Sequence, residues 1–215
     1  MNNQSVVLAK TFILLCILSF LSCGPAVTFT EPQPAGVRNL ADIPNRLVGK
    51  YLSLSDSSTL AISRQNIIRH YTTLVKADKN HLDSNFVLQN DTLRDLTTGE
   101  KWKVKLLGDT ILHMLPISDT LFSINAYGIL KKYKGYYFIN TAQKGNNWEV
   151  KKISLSRGKL ILGTITSQQD IDVLKTITES TQDSVPYTFT LTKKQFKQFV
   201  KQDGFSDTET FIRVK

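Results

Sequence analysis

The sequence predicts a mainly β protein of antiparallel strands, arranged as a meander, barrel or sandwich. Three observations carry that expectation. From Leu47 onward Val, Ile, Thr, Tyr and Phe recur at alternating positions, the two-residue period of a strand with one face on a core. Turn residues break this text about every eight to twelve positions, the spacing of hairpin-connected strands. Helical periodicity is confined to two short stretches near the C-terminus. A chain of 215 residues with 41% hydrophobic content is long and apolar enough to bury a core as one domain or two small halves.

In chain order, the first element is not part of that body. Lys10 is the only charged residue before Cys23, and an apolar stretch from Thr11 to Leu21 separates them. A cationic start, an apolar run and a small residue at Ser22 make a tripartite export signal. The strictly apolar core, Phe12 to Leu21, is about ten residues, whereas a membrane span needs about twenty. Residues 1–22 are therefore expected to be a signal peptide. Residues 23–46 follow as a proline-rich tether, because Pro25, Pro32, Pro34, Gly36 and Pro44 oppose helix and central strand. Residues 47–215 form the β-rich body, readable as two related halves, 47–125 and 126–215, because Gly49-Lys-Tyr51 and Gly135-Tyr-Tyr137 open similar strand series.

Phe20-Leu21-Ser22-Cys23 resembles a bacterial lipobox, with Phe20 where Leu is usual and Ser22 where Gly or Ala is usual. The resemblance covers only the first two dozen residues. It implies cleavage before Cys23 and lipidation of that cysteine. Cys16 lies in the apolar run, so the mature chain would hold a single sulfur and no internal disulfide. Tether and body are similar in style to uncharacterised lipoproteins of the Bacteroidota. Gly24 after the cysteine, by resemblance to sorting rules in enteric bacteria, implies the outer membrane. "GPAVTFTE" lacks the acidic cluster of surface-exposed lipoproteins, which points to the periplasmic side.

Within the body, Trp102 to Leu106 and Trp148 to Leu155 alternate as half-buried strands. The phrases "SDSSTL" at Ser55, "NDTL" at Asn90, "GDTI" at Gly108 and "SDTL" at Ser118 read as hairpin turns. A short helix is expected near 168–178, where Ser167-Gln-Gln-Asp170 has capping-box spacing and Ile171, Leu174 and Ile177 form a stripe. A second is expected near 193–203, with Thr192 as N-cap, Phe196, Phe199 and Val200 on one face, and Gly204 as the stop. Thr210 to Val214 reads as a last strand.

Candidate chemistry is sparse. The chain has no Gly-x-Ser-x-Gly elbow, phosphate loop, Gly-x-Gly-x-x-Gly fingerprint, His-Glu-x-x-His pair or Cys-x-x-Cys. His70, His81 and His113 lack metal-ligand spacing, so neither a metal nor another cofactor is expected. Lys134-Gly-Tyr-Tyr-Phe-Ile139 resembles an RNA-recognition signature but departs from it at Tyr137 and Thr141. No βαββαβ pattern surrounds it, and an exported protein meets little RNA, so no nucleic-acid partner is expected. Leu47-Val-Gly-Lys-Tyr51 is similar to the Gly-x-Trp start of lipocalin-like barrels, with Tyr51 for Trp, which implies a ligand-holding barrel. Lys193, Lys194, Lys197 and Lys201 give the last helix a basic face, a candidate membrane- or partner-facing surface on a chain of net charge +9.

The sequence thus points to a lipid-anchored envelope protein whose body is a non-enzymatic binding or interaction module. Its candidate partners are an apolar small molecule, a glycan or an envelope protein, besides the membrane itself. Two alternatives stand beside it: an envelope hydrolase with carboxylates brought together from separate strands, and a structural or assembly factor of the outer membrane.

Overall fold

The computed structural model describes residues 26–214. The expected export signal, Cys23 and the start of the expected tether lie outside the described residues. In chain order the strands are β1 (Val27–Phe29), β2 (Asn39–Leu40), β3 (Gly49–Ser53), β4 (Thr59–Ile62), β5 (Asn66–Asp78), β6 (Phe86–Gln89), β7 (Thr92–Asp95) and β8 (Lys101–Lys103). They continue as β9 (Lys105–Leu107), β10 (Thr110–Ser123), β11 (Gly128–Tyr133), β12 (Tyr136–Ala142), β13 (Trp148–Ser156) and β14 (Lys159–Thr164). Helix α1 (Gln168–Thr178), β15 (Tyr187–Phe189), α2 (Lys193–Lys201) and β16 (Asp207–Val214) complete the series. The chain is mainly β, with antiparallel sheets and two helices among the described residues.

Contacts divide the chain into two compact units interleaved along the sequence. One holds Arg38–Ile139, Lys152–Leu162 and the described residues from Thr208 onward; the other holds the described residues before Arg38, Asn140–Lys151 and Gly163–Asp207. The expected halves, 47–125 and 126–215, are not these units. β12, β13 and β14 are long strands whose two ends fall in different units, so no single cut in the sequence separates them.

In the first unit the strand order is β2-β11-β12-β13-β14-β16-β3-β4-β5-β10-β9. β2 and β9 are the two edges, so the sheet is open rather than a closed barrel. Alternation decides what faces the core: Leu60 and Ile62 of β4, Ile67 of β5, Phe122 of β10 and Phe211 of β16 are buried with Leu47, Tyr51, Leu130, Tyr137 and Ile153. Each such side chain contributes about 1.5–3 kcal/mol when fully buried. Tyr51 is fully buried because its polar end is satisfied: the hydroxyl donates to the Leu47 carbonyl at 2.9 Å, and the Arg213 guanidinium lies 5.3 Å from the ring centroid and donates to the hydroxyl at 3.0 Å. A separate three-stranded sheet, β6-β7-β8, belongs to the same unit.

The second unit packs aromatic side chains around the helices. Phe196 and Phe199 of α2 are buried with Phe205, at ring separations of 6.1 and 5.3 Å. The capping box at Thr192 is complete, its hydroxyl accepting from Gln195 N–H and the Gln195 amide accepting from Thr192 N–H. In α1 the box is half made. Ser167 accepts from Asp170 N–H, but the buried Asp170 carboxylate turns to Ser206, accepting from its N–H and hydroxyl at 2.9 and 3.1 Å.

Several sequence expectations change. The tether ends earlier than residue 46: Val27, Thr28 and Phe29 are buried in β1, which runs parallel to β15, and Gln33 is buried with its N–H donating to the Asn140 side chain at 2.6 Å. Pro32 falls between these contacts and leaves them intact. Trp102 to Leu106 is not one strand, because Val104 turns inward and donates its N–H to the Asp91 carbonyl, leaving β8 and β9 in different sheets. "SDTL" at Ser118 is not a turn. It continues β10, because Ser118 and Asp119 bond across to His70 and Tyr71 instead of to their own backbone. α2 stops at Lys201, and Gly204 serves by closeness rather than by a left-handed backbone. Asp203 and Phe205 hold the positive φ values, and a Cβ on Gly204 would lie 2.5 Å from the Phe199 ring.

Candidate functional site

The distal half of the β5/β10 hairpin supplies the floor of an apolar cleft. The register sets Ile111 opposite Ala77, His113 opposite Val75 and Leu115 opposite Thr73. Directly opposed residues share a face, so Ala77, Val75, Ile111, His113 and Leu115 project together. The β6-β7-β8 sheet supplies the facing wall. Leu88 stands opposite Leu93, and Leu93 opposite Trp102, with Phe86 two positions along from Leu88 on the same face. Phe86 and Trp102 rings lie 6.4 Å apart and Trp102 and His113 rings 6.1 Å apart. Leu82 closes the lining of a cavity of about 390 Å³, within the range typical of small-molecule sites.

His113 is the unusual member. Its Nδ1 lies 3.4 Å from the Lys103 carbonyl, and a carbonyl only accepts, so that contact places the proton on Nδ1. Nε2 is buried and has no hydrogen-bond partner. The ring therefore presents carbon to the cleft, and no polar atom of the lining reaches the cleft surface. Such a surface offers neither a general base nor an oxyanion donor. It offers hydrophobic contact, worth about 25 cal/mol per Å² of apolar area removed from water.

The other polar groupings are closed on themselves. Arg69 gathers Glu209 at 2.6 Å and Asp56 at 2.8 Å, and also donates to Ser58. Hydrogen bonds from the Ser58 backbone and hydroxyl, with Ser53 and the Arg69 charge behind them, hold the Asp56 carboxyl at about 2. Both carboxylates are thereby committed to one guanidinium, an arrangement for stability rather than for proton transfer. His70 Nδ1 lies 2.8 Å from the Ser118 hydroxyl, but on an exposed sheet face rather than in the cleft. His81 pairs with Asp78 at 3.0 Å in an exposed turn. The three histidines do not converge, and no group of three or more His, Cys, Asp or Glu able to hold a metal occurs among the described residues.

Of the residues singled out in the sequence, Cys23 lies outside the described residues. Lys193, Lys194 and Lys201 are exposed on α2, and Lys197 is half-buried, opposite the buried Phe196 and Phe199. In Lys134-Gly-Tyr-Tyr-Phe-Ile139, Tyr137 and Phe138 are buried in the core and Tyr136 is half-buried, and Lys134 and Gly135 are the hairpin turn between β11 and β12, both at positive φ. Phe86, Leu93 and Trp102 of the cleft wall carried no functional signal, being ordinary strand residues. Comparison with family models, curated proteins and solved structures gives no match.

Proposed function

We propose that this chain is a lipid-anchored lipoprotein of the bacterial cell envelope, held by Cys23, whose body binds an apolar small molecule in the cleft beside Trp102. The single observation that carries the binding role is a cavity of about 390 Å³ without an accessible polar atom. A glycan would bury hydroxyls against such walls without partners, at about 1–3 kcal/mol each, so its chemistry fits poorly. The anchor rests on the lipobox-like Phe20-Leu21-Ser22-Cys23 and the cationic-apolar order before it. Gly24 and the absence of an early acidic cluster support the outer membrane, periplasmic side. The basic face of α2 suits anionic head groups or an acidic partner.

Two measurements test the halves of this reading. Cells fed an alkyne fatty acid should label the wild-type protein and not Cys23→Ala; an unlabelled wild type would sink the anchor. The fluorescent apolar probe N-phenyl-1-naphthylamine should bind the protein with a blue-shifted emission. Ala77→Phe, which fills the floor of the cleft, should abolish that signal while the circular dichroism spectrum stays unchanged. Retained binding in a folded Ala77→Phe protein would place the probe elsewhere and remove the cleft from the account.

A further inference from the structure

From the chemistry of the cleft walls we infer the class and orientation of its occupant: a single-chain amphiphile that enters tail first, leaving its polar head in water. This rests on the reading of the cleft as a ligand site. Three observations carry it. The lining surface is wholly apolar, including at His113, whose Nδ1 is spent on the Lys103 carbonyl and whose Nε2 is buried. Any hydroxyl, amide or carboxyl carried into the cleft would lose its water and find no partner, which weakens binding by about tenfold or more.

The second observation is that the walls are of unlike depth. Ile111 is buried at the floor, whereas Val75 is 42% exposed on the same face. The cleft therefore has an apolar interior and a wet rim, the profile of a molecule with one apolar end and one polar end. Third, two lysines that adjoin lining residues in the sequence, Lys103 after Trp102 and Lys79 two residues after Ala77, are already engaged with carboxylates. Lys103 holds Asp91 at 2.7 Å and Lys79 holds Asp109 at 2.6 Å. Recognition thus falls on the tail, and a saturated fatty acid is the simplest probe of it.

Occupancy is read by heavy-atom quenching, and orientation by the cost of a hydroxyl at the end of the tail. Trp102 lines the cleft and Trp148, in β13, does not. In the full chain carrying Cys23→Ala, so that no attached acyl group competes, and Trp148→Phe, at least one of 12-bromododecanoate and 2-bromododecanoate should quench the remaining tryptophan. The companion protein with Trp102→Phe and Trp148 retained should be quenched by neither. By calorimetry on the Cys23→Ala chain with both tryptophans, dodecanoate should bind at least about tenfold more tightly than 12-hydroxydodecanoate. Equal affinity for dodecanoate and 12-hydroxydodecanoate overturns the tail-first inference while leaving an apolar ligand site in place. Absence of quenching and of heat with every acid, in protein that still binds N-phenyl-1-naphthylamine at the cleft, overturns the amphiphile class alone. Loss of the naphthylamine signal as well would instead remove the ligand site.

Discussion

The two ends of the β5/β10 hairpin share one backbone ladder and differ in almost everything their side chains do. At the end near Asn66 and Ser123, Ile67 and Phe122 are 4% and 2% exposed in the main core, and Arg69 gathers Asp56 and Glu209 beside them. At the end near Asp78 and Thr110, Val75 and Met114 are 42% and 58% exposed, and the inward face meets a hollow instead of a packed layer. The lesson is physical. Pairing and alternation make a strand, but burial is decided by what the rest of the chain sets against it.

The largest test of this contrast deletes one ring at each end. Phe122→Ala should cost about 3–5 kcal/mol, because a filled layer cannot collapse around the void. Phe86→Ala, in the half-buried wall of the cleft, should cost about 1–2 kcal/mol, since one side of the ring already lacks close neighbours. Urea unfolding midpoints with an unchanged slope measure both. Equal losses would mean that the distal end is packed as tightly as the core.

Next in size is Gly128→Ala, on the core side. A Cβ there would sit 1.8 Å from the Ser123 carbonyl oxygen, where the chain leaves β10 and turns into β11 through the Asn125–Gly128 bridge. Backbone must move, at about 2–3 kcal/mol. The equivalent change at Gly108, in the turn between β9 and β10 of the distal end, meets no atom within 4 Å, and only its φ of 59° resists a side chain. Gly108→Ala should therefore cost about 1 kcal/mol. The same urea midpoints rank the two, and a Gly108 loss as large as that at Gly128 would contradict the open-space account.

What the sequence made legible follows the same division. The β class, both helices, the Thr192 cap and the last strand could be read because each depends on local period or local chemistry. The hairpin turns at Ser55, Asn90 and Gly108 were legible for the same reason, and Ser118 failed because its side chain found His70 across the ladder. The tether was misjudged at Val27 to Phe29, where a parallel partner more than 150 residues away, at Tyr187 to Phe189, supplies the pairing. The cleft was invisible because its lining is drawn as one to three residues from each of several strands, with Leu82 from a loop. His113 stands in the sequence only as one of three histidines without metal-ligand spacing, and nothing local announces that its Nε2 is buried without a partner.

That nitrogen gives a smaller prediction with the opposite sign. His113→Phe keeps an aromatic ring beside Trp102 and removes the orphaned atom, at the loss of only the long 3.4 Å bond to the Lys103 carbonyl, so stability should rise by up to about 1 kcal/mol. An unchanged or lower urea midpoint would mean that Nε2 is satisfied in solution, most simply by an ordered water. His70→Phe, whose Nδ1 has the Ser118 hydroxyl as partner on an exposed face, should show no such gain.

The smallest effect concerns acid. Asp56 is held at about 2 against an ordinary 3.8, first by the Ser58 backbone and hydroxyl and lastly by Arg69. A carboxyl whose folded value is depressed adds stability that is fully present above the unfolded value and disappears as pH falls through the folded one. The window here runs from about pH 4 down to about pH 2. Asp56 is 48% exposed, so solvent screening holds its contribution to about 0.5–1 kcal/mol. Asp56→Asn should flatten the acid limb of a stability-against-pH curve within that window. Asp109→Asn, at the distal end, removes a carboxyl lowered chiefly by the Lys79 hydrogen bond and 64% exposed. Salt in the buffer should erase the effect of that distal substitution and leave most of the one at Asp56, because short hydrogen bonds from Ser58 survive screening that a solvated ion pair does not. An equal response of both variants to salt would show the Arg69 cluster to be as loosely held as the surface pair.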